Sequence, residues 1–197
     1  MTGPDFDRMY TDEGDPWRVG TSWYEQRKIS VVLASLSEPS YARALDPACG
    51  TAHLALALAD RSDAVVAYDA SEPAIRVARG VCAGNQRIEL GVGAVPYDEH
   101  GPDGPFDLIV LSEFLYYVGD AGRAAVLDSV LERASERVEL VAVHWREQPE
   151  DGSASGDDVH AELRDVLTGK GFRHQVAHFD EEFVLDIFTR GHDVHLD

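Results

Sequence analysis

Lysine is almost missing from this sequence: Lys28 and Lys170 are the only two. Seventeen bases stand against 36 acids, for a formal net charge of −19. Binding a nucleic-acid backbone requires clustered Lys and Arg, so this deficit excludes DNA and RNA as expected partners and disfavours anionic membranes. Cysteine is equally scarce. Cys49 and Cys82 lack metal-site spacing, so no metal and no disulfide framework is expected. No run of about 18 apolar residues exists to cross a bilayer. The first residues, Met1-Thr-Gly-Pro-Asp-Phe-Asp7, lack the basic-then-apolar order of a signal peptide. A cytoplasmic protein is the expectation. The acids are spread along the chain, and two accounts of them stay open: a surface adapted to high salt, or an ordinary acidic surface with Arg-favouring codon usage.

What is present suits a single folded unit: 197 residues with 44% hydrophobic content can close one sizeable core. Residues 1–20 carry Gly3, Pro4, Gly14, Pro16 and many aspartates, and read as an irregular arm. Trp17 and Trp23 need burial, so the arm is expected to fold over something. Ser22-Trp-Tyr-Glu25 has the form of a capping box, and Ile29, Val32, Leu33 and Leu36 follow at helical spacing. Strands and helices then alternate. Strands are expected at 42–46, 64–68, 87–90, 106–111 and 137–143, with helices at 53–58, 71–79, 121–134 and 158–168. Two last strands, 172–179 and 183–190, are joined by only Asp180-Glu-Glu182 and must run antiparallel. Such alternation implies right-handed crossovers and an α/β doubly wound, mostly parallel sheet with one antiparallel strand near the C-terminus.

Ligands of such sheets sit at the carboxyl ends of the strands. Three strands here end in acids or hydroxyls. The first leads into Asp46-Pro-Ala48-Cys49-Gly50-Thr-Ala52-His53, a small-residue turn opening a helix. The second ends at Asp69-Ala70, where a carboxylate can accept bonds from ribose hydroxyls. The third is followed by Gly91-Val-Gly93-Ala94. The fourth ends in Ser112-Glu113, followed by Tyr116-Tyr117. A full Gly-x-Gly-x-x-Gly fingerprint is missing, since Ala48, Gly50 and His53 occupy its three positions.

The acid followed by this turn resembles the first motif of class I S-adenosylmethionine (SAM) methyltransferases, with Ala48 and Ala52 where the family has glycine. The late antiparallel strand is also typical of that class. Ser112-Glu113-Phe-Leu-Tyr116-Tyr117, the block from Asp15-Pro-Trp17 to Lys28, and His144-Trp145-Arg146 with Gly156-Asp-Asp-Val-His160 resemble the nodulation-protein-S (NodS-like) family within it. The resemblance implies a Rossmann-like class I fold, with residues 1–40 as arm and lid helix and 41–197 as the SAM-binding domain. It implies methyl transfer from SAM to an amine of a small molecule or amino sugar, leaving S-adenosylhomocysteine (SAH).

On this reading Asp46, Ala48 and Gly50 hold the methionine part of SAM, Asp69 and Ala70 the ribose side, and backbone groups of Gly93 and Ala94 the adenine. Ser112, Trp17 and Tyr24 complete the cofactor set, the last two as a lid. Glu113, His144 and His160 are the candidate bases or substrate ligands, and Tyr117 walls the methyl cavity. An aliphatic ammonium cannot attack until it loses a proton, hence the search for a base. A non-catalytic SAM-binding protein and a nucleotide-dependent oxidoreductase are the alternatives. The oxidoreductase is opposed by the missing glycines and the antiparallel end.

Overall fold

The computed structural model describes residues 4–99 and 101–191. Its centre is one seven-stranded sheet in the order β3-β2-β1-β4-β5-β7-β6. The strands are β1 (Tyr41–Asp46), β2 (Ser62–Asp69), β3 (Ile88–Val92), β4 (Phe106–Ser112), β5 (Ala134–Trp145), β6 (Arg173–Phe179) and β7 (Phe183–Arg190). β1 to β5 pair in parallel, and β7 runs antiparallel to both its neighbours, β5 and β6. The chain winds outward from β1 toward β3, then returns to lay β4 on the other side of β1. That reversal opens a crevice at the carboxyl ends of β1 and β4.

Side-chain alternation explains why the sheet is covered on both faces. In β4, Leu108 and Val110 enter one buried cluster while Ile109 and Leu111 enter the other. Successive strand residues point to opposite faces, so a fully apolar strand needs helices on both sides. One face is covered by α2 (Trp23–Ser35) and α3 (His53–Leu58) through Val32, Leu54, Ala55 and Leu58. The same cluster takes Ala78 of α4 (Glu72–Val81). The opposite face carries α5 (Asp120–Leu131) and α6 (Gly156–Gly169) through Val126, Leu127, Val130, Val159, Leu163 and Leu167.

Five sequence expectations need correction. Trp23 is not buried by the arm but 75% exposed. The arm is not irregular throughout, because α1 (Phe6–Glu13) forms within it, capped by the Asp5 side chain accepting from Arg8 N–H. The Ser22 capping box is not made, because Glu25 is turned to Lys28 and Ser22 makes no side-chain cap bond. The box sits instead at α6, where Ser155 and Asp158 exchange both bonds. Helix α4 runs through Gly80 to Val81, with Ser71 as its cap and Pro73 in its first turn. β5 also begins three residues before the expected 137 and reaches Trp145. The expected 1–40 and 41–197 units both reach residues outside those described. Among the described residues, no helix is long and apolar enough to cross a membrane.

Candidate active site

A cavity of about 750 Å³ opens at the carboxyl ends of β1, β2, β4 and β5 and is roofed by the N-terminal arm. Its size is in the range that takes a drug-sized ligand. Asp46, at the tip of β1, lines it and is 1% exposed, and its Oδ2 has no hydrogen-bond partner. Burial, helped by the nearby Asp69, pushes its pKa up to about 7. A buried carboxylate oxygen without a donor calls for a cation or donor from the ligand.

Asp69, at the tip of β2, is wired differently. Its Oδ2 accepts from Gly50 N–H and its Oδ1 from Ser71 N–H, both at 2.8 Å. Burial raises its pKa, and those two bonds oppose the rise. A carboxylate has about four acceptor directions, so two remain for ligand hydroxyls.

The turn between β1 and α3 is left-handed at two positions, only one of which is a glycine. Ala52 has φ 62° and ψ 24°, a left-handed conformation that costs a side-chain-bearing residue about 1–2 kcal/mol. Gly50 is also left-handed (φ 52°), and a Cβ there would lie 2.7 Å from the Tyr10 hydroxyl of α1. Gly50 itself does not line the cavity; it brings its N–H to Asp69 and gives Tyr10 room. Ala48, Ala70, Gly93, Ala94 and Ser112 all line the cavity. The expectation for Gly93 needs one change: its N–H donates to the Asp69 carbonyl at 2.9 Å and is not left for a ligand.

At the other end, Glu113 is the hub. Its backbone is left-handed at φ 60°, rare for a non-glycine residue and a feature that gathers at functional sites. Its Oε1 accepts from Lys28 Nζ, and its Oε2 accepts from the Tyr116 hydroxyl at 2.6 Å and Trp145 N–H at 2.8 Å. Lys28 is 3% exposed and also reaches both oxygens of Glu25, at 3.0 and 2.9 Å. Burial alone would lower the Lys28 pKa, but Glu113 and Glu25 outweigh it and raise it, keeping the ammonium charged. The Tyr24 ring lies 4.7 Å under that ammonium, and the Tyr24 hydroxyl is buried without a partner. Burial raises the Glu25 pKa; Lys28 opposes the rise, and Glu113 and Asp15 add to it.

An aromatic strap closes the roof. Phe6 packs edge-on against Tyr117 at 5.2 Å and tilts against Trp17 at 6.1 Å, while Tyr10 meets Trp17 at 5.6 Å. Tyr117 in turn stands edge-on to Tyr116 at 4.7 Å. Trp17, Tyr24 and Tyr117 therefore reach the cavity, as the sequence pattern suggests.

His144 and His160 do not reach it. Both are fully buried and neither lines the cavity. His144 points back into the sheet because β5 alternates, leaving Val143 and Trp145 on the cavity side. His160 lies on the sheet-facing side of α6, beside Val159 and Leu163. Sequence reasoning passed over Lys28, Glu25 and His53 as site residues, and Phe6 and Tyr10 of α1, all of which line the cavity. For Lys28 a signal existed: one of only two lysines, three residues after an acid on a helix.

Comparisons with known proteins agree with this geometry. A family profile described as a methyltransferase domain matches residues 44–136. The crystal structure of a Pseudomonas syringae protein assigned as a methyltransferase is 31% identical with a TM-score of 0.74, covering 86% of this chain and 100% of that one. The chain belongs to the class I SAM-dependent methyltransferases. The N-methyltransferase NodS from Bradyrhizobium japonicum WM9, solved with SAH, matches with a TM-score of 0.80 at 19% identity. That match covers 96% of this chain and all of the NodS chain. A DhpI–SAH complex matches at 0.70 with 22% identity, covering 94% of each chain. At these identities NodS and DhpI share the fold. A search of curated proteins returns no match.

SAM is the methyltransferase's cofactor, and the residues present fit it. The unpartnered Asp46 oxygen suits a cationic ligand, and Asp69 keeps acceptor directions free for a diol. The cavity is lined by six carboxylates (Asp46, Asp69, Glu25, Glu113, Glu150 and Glu182) against one lysine, which suits a cofactor with a net positive charge.

Proposed function

We propose that this methyltransferase transfers the methyl group of SAM to an amine on a small molecule or amino sugar. The observation that carries the reading is the Glu25–Lys28–Glu113 array. Two partly buried carboxylates share one buried ammonium, so the transfer end keeps one net negative charge facing the cavity. A neutral hydroxyl acceptor gains little from such a site, whereas a protonated amine is drawn to it. The similarity to NodS, itself named an N-methyltransferase, supports the same direction.

In this reading Asp46 and the Ala48–Gly50 turn hold the methionine end, Asp69 the ribose, and Ala70, Gly93 and Ala94 the adenine surface. Trp17 and Tyr24, with Phe6, cover the cofactor and exclude water. The cofactor supplies a methyl group on a sulfonium centre. Glu113 has three of its four acceptor directions filled, and the fourth orients the incoming ammonium. Glu25, ionised beside Lys28 and made more basic by burial, accepts the proton from nitrogen. Held by Asp46, Asp69 and the Ala48–Gly50 turn, SAM would supply its sulfonium methyl to that nitrogen lone pair and leave as SAH. Tyr117 and Tyr116 wall the path so that the reacting atoms stay in line.

The test is a product analysis by mass spectrometry with SAM and matched acceptors: glucosamine and simple primary amines against glucose and N-acetylglucosamine. N-methyl products confined to the free amines are expected. Equal methylation of the amine-free sugars would overturn the amine assignment.

A further inference from the structure

The two histidines that miss the cavity form a continuous hydrogen-bonded line running away from it. Leu115 N–H donates to His144 Nε2 at 3.4 Å. His144 Nδ1 lies 3.1 Å from His160 Nε2, and His160 Nδ1 lies 2.6 Å from Asp186 Oδ2. Asp186, on β7, is fully buried, with His174 Nε2 2.6 Å from its Oδ1 and the Arg164 guanidinium 2.7 Å from its Oδ2.

Donor and acceptor rules leave one assignment of protons. A backbone N–H can only donate, so His144 Nε2 carries a lone pair and its proton sits on Nδ1. That Nδ1–H donates to His160 Nε2, which places the His160 proton on Nδ1, where it donates to Asp186. Each ring's tautomer is dictated by the next group outward, as a carboxylate fixes a metal-bound histidine. Burial, then His160 and Lys28, pushes the His144 pKa well below its ordinary value, so the ring stays neutral. The charged and titratable groups facing the pair are Lys28 of α2, Tyr116, Asp157 and Arg164 of α6, His174 of β6 and Asp186 of β7. Burial would raise the Asp186 carboxyl, but bonds from His160 and Arg164 outweigh it and hold it low. Because the inner end of the line is a backbone amide, it cannot carry a proton into the cavity.

What the line can do is hold a wall in place. Leu115 opens the short 3-10 turn Leu115–Tyr117, which follows the left-handed Glu113 and presents Tyr116 and Tyr117. Trp145, next to His144 in β5, donates its N–H to Glu113. The end of β5 therefore grips the 113–117 segment three times, through the His144 side chain, the Trp145 N–H and the Val143 carbonyl, which accepts from Glu113 N–H at 3.0 Å. Tyr117 then seats Phe6 of the strap. We infer that His144, His160 and Asp186 form a tautomer-setting line that positions the Glu113–Tyr117 wall for cofactor binding. They are positioning residues, and the assignment holds whichever acceptor the enzyme takes.

The experiment uses SAH as probe and the full chain at about pH 8, above the range in which Asp46 titrates. His160→Gln can keep both bonds, its amide oxygen accepting from His144 and its amide N–H donating to Asp186. His160→Leu keeps neither. Calorimetry should show SAH affinity roughly tenfold weaker in His160→Leu and back within about threefold of wild type in His160→Gln. Equal affinities in the two variants, or a tolerated Leu with a failing Gln, would overturn the inference. Should His160→Leu not fold, long-range ¹⁵N spectra of the wild-type histidine rings decide. A neutral His144 with its proton on Nδ1 is expected, and an Nε2–H tautomer would refute the line.

Discussion

At the β1–β2 end of the cavity, Asp46 and Asp69 stand at the tips of adjacent strands and touch backbone amides or nothing. At the β4–β5 end, Glu113 is bound by a lysine 85 residues earlier, by a tyrosine and by a backbone N–H 32 residues later. The first end is built locally and leaves its acceptors open. The second is cross-linked and nearly saturated. An open end can take up a polar ligand directly, because the ligand supplies the missing partners. A saturated end holds one geometry, which is what an in-line transfer needs. The comparison predicts that damage at the first end removes cofactor binding, and that damage at the second removes order or turnover and weakens the cofactor by no more than about tenfold.

The largest effect is expected from Asp69→Ala, which strips two backbone amides and the ribose acceptor together. SAH affinity measured by calorimetry should fall by at least ~100-fold. Lys28→Met leaves two partly buried carboxylates facing each other without their cation, and denaturant unfolding should show a loss of about 3 kcal/mol. If both variants lost cofactor binding alone, with stability intact, the distinction between the two ends would fail. Trp17→Ala opens the strap without touching either carboxylate set. It should raise the SAH dissociation rate by roughly tenfold in stopped-flow fluorescence, since the stack with Phe6 and Tyr10 is lost.

A smaller, graded effect follows from Asp46. Its folded-state pKa is raised to about 7, so between the ordinary carboxylate range and pH 7 the apo protein holds a proton that the unfolded chain has lost. Apo stability therefore falls progressively across that window and levels off above about pH 7, where the buried charge stands without a partner. Cofactor binding has the opposite dependence, because only the ionised form pairs with a cation. SAH affinity should therefore climb several-fold from about pH 6 to pH 8, and Asp46→Asn should flatten the climb. A pH-independent affinity in the wild type would remove Asp46 from the cofactor's cationic end.

The open end was also the legible one. An apolar strand that stops at an acid, a small-residue turn and an apolar helix are contiguous, so Asp46 and Asp69 could be placed from the chain pattern and the parallel order of strands; at the other end Glu113 could be placed the same way, but not the partners that saturate it. What was not legible depended on distance or phase. The capping-box pattern at Ser22–Glu25 was misleading because Lys28 competes for Glu25, and only tertiary contact with Glu113 decides that competition. Helix α1 is polar enough to read as loop, and it forms where Phe6 and Tyr10 find Trp17 and Tyr117. His144 was placed on the correct strand edge, but one residue of register separates the cavity side from the interior. Asp186, which bonds His160, lies 26 residues beyond it on the antiparallel strand, where the sequence reads as an ordinary buried β-strand interrupted by one acid.

The most direct test of the two-ended cavity is Glu113→Gln, measured for SAH affinity and for methyl transfer to the amine identified by the acceptor panel. The side chain keeps its shape but loses the charge that, in the proposed function, draws and orients the ammonium. Turnover is expected to fall by about 100-fold while SAH affinity stays within about threefold of wild type. Wild-type turnover, or a collapse of SAH affinity equal to that of Asp69→Ala, would contradict it.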